Sequence, residues 1–62
     1  MDKTFAELLK EARLNAGFTH KTLHKALQIP VRTQEDWEAG RNEPSAYVKT
    51  LILFWLEENR AF

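Results

Sequence analysis

Cysteine is absent from this chain, so neither a disulfide framework nor a thiolate zinc site is available to it. Only two glycines and two prolines occur in 62 residues, and no repeat, low-complexity tract or linker is visible. Long hydrophobic runs are missing too. The longest, Leu51–Leu56, has six residues, far too few to span a bilayer, and no membrane partner is expected. An excess of charge of either sign is also lacking: nine basic and nine acidic side chains cancel, and the isoelectric point is near 6.7. Non-specific affinity for polyanions should therefore be weak, because it rests on phosphate neutralisation. No catalytic arrangement stands out. There is no thiol nucleophile, Ser45 reads as a helix cap, and Glu35, Asp36 and Glu38 read as a solvated acidic face. Enzyme activity and cofactors are not expected. Met1-Asp2-Lys3-Thr4 is polar and unlike a secretory leader, which with the missing cysteine fits a cytoplasmic protein.

What is present is material for a small helical core. Apolar residues make up 44% of the chain and seven side chains are aromatic, enough for one domain over residues 1–62. Periodicity predicts an all-α fold with helices at about residues 4–16, 20–27, 31–39 and 45–59. Asp2 or Thr4 caps the first, and Thr4-x-x-Glu7 has the spacing of a capping box. Phe5, Leu8, Leu9, Ala12 and Ala16 follow helical spacing until Gly17 stops them, and Phe18 plugs the core. The second helix offers Leu23, Ala26 and Leu27. The third is anchored by Trp37, with Thr33 one turn earlier. Ser45 caps the fourth, where Tyr47, Val48, Leu51, Ile52 and Trp55 make one stripe and Leu53, Phe54 and Leu56 fall beside it. A helix apolar on most of its circumference is either central or shared. Phe54, Leu56 and Phe62 are the candidates for a homodimer or partner interface.

The stretch from Thr19 to Gly40 carries the most information. Thr19 caps one short helix, Gln28-Ile29-Pro30 breaks it, and a second runs from Val31 to Ala39. Proline disfavours helix in the residue before it and is tolerated at a helix's first position, so Pro30 hinges the pair. Two helices joined by a three- to four-residue turn form the unit that places a recognition helix in the major groove of DNA.

The chain resembles the Cro/C1-type (XRE-family) helix-turn-helix domain from about Phe5 to Leu56. The residues that carry the likeness are Arg13 before Gly17, then Phe18-Thr19-His20, Leu23, Ile29, Trp37-Glu38-Ala39-Gly40 and Pro44. Three positions depart from the family pattern: His24 stands where alanine is usual, Gln28 where glycine is usual, and Gln34 where a β-branched apolar residue packs. The resemblance implies a compact four-helix domain of the lambda-repressor-like type with a buried Arg13–Glu38 bridge. It implies sequence-specific binding of double-stranded DNA by a small bacterial or phage-type transcriptional regulator. Val31, Arg32, Glu35 and Asp36 then face the bases, with Arg32 the natural reader of guanine. His20, Lys21, Arg41 and Asn42 face the backbone. From His20 to Asn42 four basic side chains stand against three acidic ones, a thin margin. The competing expectation is a protein-interaction module on the same fold, antitoxin-like, an antirepressor or an accessory subunit. His20 and His24 have the spacing of a metal-binding pair, but two ligands alone do not make a site, and no metal is expected.

Overall fold

Residues 3–60 are described by the computed structural model of the protein. Asp2 and Phe62, named above as a cap and an interface residue, lie outside the described residues. Four helices form an all-α chain: α1 Phe5–Asn15, α2 His20–Leu27, α3 Val31–Glu38 and α4 Ala46–Glu58. The boundaries follow local chemistry. Thr4 Oγ1 accepts the Glu7 amide while Glu7 Oε1 accepts the Thr4 amide at 2.9 Å, so each satisfies an orphan donor of the first turn. Those bonds from Thr4 hold the Glu7 carboxyl below the usual carboxylate range. Thr19 and Thr22 form the same reciprocal box on α2, with threonine where glutamate is usual. Ser45 Oγ accepts the Val48 amide at the start of α4.

Both glycines of the chain do one job. Gly17 and Gly40 lie at φ 82° and 79°, just past α1 and α3. At the first end, the Phe18 and Gly17 amides donate to the Arg13 and Leu14 carbonyls; at the second, Arg41 and Gly40 donate to Asp36 and Trp37. These are two Schellman stops, each needing a left-handed residue that glycine adopts without penalty. The α2 end uses Gln28 at φ 61° instead. Pro30 takes the N-cap position of α3 rather than its first helical position, leaving its carbonyl to accept the Gln34 amide.

α1 packs against both α3 and α4, and α2 packs on α3. Phe5, Leu9, Ala16, Leu23, Ile52 and Leu56 form the buried core. Phe5 meets Trp37 edge-on with ring centroids 6.4 Å apart, and Phe18 meets Trp55 at 5.4 Å. The radius of gyration is 10.7 Å, matching the ~11 Å of a compact chain of this length.

Several expectations about burial are corrected. Leu56 is fully buried at the centre of the core and is no interface residue. On α4 the inward face is Val48, Ile52, Leu53 and Leu56, with Trp55 at its edge; Tyr47 and Leu51 point outward. At 100° per residue that face is turned roughly 80° from the expected stripe. Leu8 and Ala26, expected in the core, are exposed. No helix among the described residues is long and apolar enough to cross a membrane.

A left-handed non-glycine residue at Gln28 costs roughly 1–2 kcal/mol, and its side chain adds only an exposed 3.3 Å bond to the Lys25 carbonyl. Gln28→Gly should therefore raise stability by about 0.5–1 kcal/mol, read as a higher urea midpoint at unchanged slope.

Candidate nucleic-acid interface

The rotation of α3 is set by what it buries. Gln34 is wholly inaccessible and Trp37 lies against Phe5, so the opposite side of the helix faces out. Arg32 and Glu35 are exposed there, and Val31 and Asp36 are half-buried at the margins. Lys21, Arg41 and Asn42 are exposed. Those seven proposed contact residues remain partly or fully accessible. His20 does not present itself in the same way: its Nε2 is buried and turned inward, 3.3 Å from Glu38 Oε2. That approach is too far off-axis for a ring N–H hydrogen bond and acts as an ion pair only when the ring is protonated. His20 Nε2 is thus turned away from a phosphate, and what the residue offers outward is the rest of its ring, 29% exposed, and its main chain at the α2 start.

The α2–α3 turn is held by side-chain hydrogen bonds in addition to the packing of Leu27 and Ile29 against the core. Gln34 Nε2 donates to the Ile29 carbonyl and to the His20 carbonyl, both at 2.9 Å. His24 Nδ1 lies 2.9 Å from the same Ile29 oxygen. A carbonyl only accepts, so Nδ1 carries the proton in this contact. The amide orientation of Gln34 is fixed in the same way, since the reverse would aim Oε1 at two carbonyl oxygens. Oε1 itself has no hydrogen-bond partner among the described residues. His24, standing where the family usually has alanine, is exposed, and its ring closes the turn from outside. The departures at His24 and Gln34 therefore meet at the Ile29 carbonyl as one polar clamp on the turn, while Gln28 supplies the left-handed end of α2. The two histidine rings serve different partners, Glu38 and Ile29.

Arg13 and Glu38 meet as a two-pronged pair. Arg13 Nε donates to Glu38 Oε2 at 2.8 Å and Nη2 to Oε1 at 3.2 Å, while Nη1 donates to the Phe18 carbonyl at 3.0 Å. Both side chains are under a tenth exposed. Burial pushes the Glu38 carboxyl up, but the Arg13 bonds and charge, with His20 behind them, outweigh it and hold the group below its usual range.

This pairing changes the charge that α3 offers. Glu38 is spent on Arg13, and the Asp36 carboxylate turns past the helix end to Arg41, 3.6 Å away. Among the described residues Lys21, Lys25 and Arg32 enter no ion pair, and Glu35 is the unpaired acid on the outer face. Sequence reasoning missed Thr22, whose spacing from Thr19 was the available signal, and it missed the bonding of Gln34. Comparison with protein-family models, curated proteins and solved structures yields no match.

Two outcomes follow from this geometry. Gln34→Ala strips donors from two carbonyls and should cost about 1–3 kcal/mol by urea melting. Glu38→Gln leaves the buried guanidinium unpaired and should cost about 3–5 kcal/mol at pH 7. A lowered folded pKa stabilises above the unfolded value and is lost as the pH falls. The gap between wild type and Glu38→Gln should therefore close below about pH 4.5.

Proposed function

We propose that the chain is a lambda-repressor-like domain of the Cro/C1 type that binds double-stranded DNA as a small transcriptional regulator, with α3 in the major groove. The observation that carries the reading is the outer face of α3: Arg32 projects unpaired from its first turn while the Asp36 and Glu38 carboxylates are drawn off by arginines. A guanidinium there can bond bidentately to guanine O6 and N7. Lys21, one position into α2, supplies a phosphate contact beside the helix N-terminus, and Lys25 lies one turn further on. The short capped helices and the clamped turn keep α3 from rocking on α2, which a base-reading helix requires. Glu35 opposes binding and limits affinity unless it accepts from a cytosine amino group.

A second reading, a protein-interaction module, is favoured by one observation: Tyr47, Leu51 and Phe54 are exposed on α4. Fluorescence anisotropy with a randomised duplex pool separates the two. With Lys21 and Lys25 as phosphate contacts, affinity should fall roughly tenfold between about 50 and 200 mM salt. Lys21→Ala should flatten that slope by about one unit. Arg32→Ala should weaken selected sequences far more than the pool. No binding at low salt by folded protein would leave the interaction module as the better reading.

A further inference from the structure

We propose that the apolar groove between the end of α2 and the side of α4 is a binding site for a small aromatic cation, a flat ring carrying an amine. The inference does not depend on whether α3 binds DNA. The groove measures about 290 Å³ and is lined by Leu27, Leu51, Ile52, Phe54 and Trp55. It exists because α2 packs on α3 while α4 packs on α1, which leaves a seam between α2 and α4. An apolar cavity of roughly 150 Å³ already accepts a benzene ring, so two fused rings have room here. Apart from the Trp55 indole, no lining side chain carries a polar atom. Shape and ring contact, not hydrogen bonds, therefore select the body of the ligand. Phe18 meets Trp55 with ring centroids 5.4 Å apart, and this contact holds the indole as a fixed wall.

Charge selects the head group. Glu58 stands three residues after Trp55 and four after Phe54, one turn along the same side of α4, and it is exposed. Among the described residues it enters no ion pair. The groove also lies toward the C-terminal ends of both helices, since Leu27 is the last residue of α2 and α4 stops at Glu58. Each of those ends is the negative pole of a helix dipole. Basic side chains nearby in sequence do not cancel this field. Lys49 and Arg60 are held by Glu43 and Glu57. Lys25, two residues before Leu27, projects from another side of α2. An amine at this end therefore meets Glu58 and two helix ends, beside the ring faces of Phe54 and Trp55 that attract a cation. A carboxylate meets the same groups with the sign reversed.

Proton–nitrogen correlation NMR at about 50 mM salt, where exposed charges are only partly screened, tests this with three naphthalene probes. Naphthylethylamine, naphthylethanol and naphthylacetate share the ring system and differ in charge. The chain has two tryptophans, so the Trp55 indole signal reports on the groove while Trp37, packed against Phe5, is an internal control. The amine should shift Trp55 saturably, with a Kd of about 1 mM or below, and leave Trp37 in place. It should bind about 2–5-fold tighter than the alcohol, the scale of one exposed charge pair, with the acetate weakest. Glu58→Gln should remove most of that advantage and leave the alcohol's own affinity unchanged. Phe54→Ala, at a position 64% exposed, should keep the helical circular-dichroism spectrum. It should weaken amine and alcohol alike by at least ~3-fold. Trp55 moving no further than Trp37, equal affinity for the three probes, or a preference untouched by Glu58→Gln would each overturn the proposal. Because no DNA is present, these results are independent of whether α3 reads a duplex.

Discussion

The buried pair of Arg13 and Glu38 joins the last turn of α1 to the last turn of α3, and much of the molecule is arranged about that joint. The guanidinium uses its third edge on the Phe18 carbonyl, in the turn that Gly17 creates. Phe18 in turn meets Trp55, so one cation couples the ends of α1 and α3 to the inner face of α4. Lysine would not substitute, because the contact uses a planar fork with donors aimed in three directions. Its net contribution to stability is modest, since two charges are withdrawn from water to make it. Its larger effect is on orientation: alternatives in which α3 slides or rotates against α1 leave a buried charge unmatched.

The α2–α3 turn solves a second problem, holding two helices of eight residues each at a fixed relation. Helices this short are marginal alone, and packing or side-chain bonds must fix them. Gln34 supplies both, since its stem occupies a wholly buried site and its amide bonds one carbonyl at the start of α2 and one within the break. His24 then adds a second donor to the Ile29 oxygen. Two of the three positions that look irregular are thus one local arrangement, in which polar bonds from Gln34 and His24 are added to the packing of Leu27 and Ile29 on the core.

How far this was legible in the residues differs by level. Helix ends were readable because their signals are local: Thr4, Thr19, Ser45, Gly17 and Gly40 act through their own backbone neighbours. The inward side of α4 was not, because nearly every residue from Tyr47 to Leu56 is apolar and overlapping stripes fit equally well. Only contact with α1 chooses between them, and it chose the one containing Leu56. The exposed face of α3 was readable from Trp37 and Glu38. The bonding of Gln34 was not, since glutamine gives no hint in one dimension of the two carbonyls it will reach.

Formal charge counts hid the electrostatics of the candidate interface for a related reason. Counting gives Asp36 and Glu38 the same weight as Arg32, yet their positions on α3 are not equivalent. The two acids sit in the last turn, where the helix dipole disfavours negative charge, and each is compensated by an arginine from outside the helix. Those arginines have a structural reason to be where they are, with or without DNA. The consequence is that negative charge is neutralised at one end of α3 while Arg32 adds to the positive dipole end at the other. A chain of zero net charge thereby presents a helix polarised along its axis, with Glu35 alone set against that gradient on the exposed face.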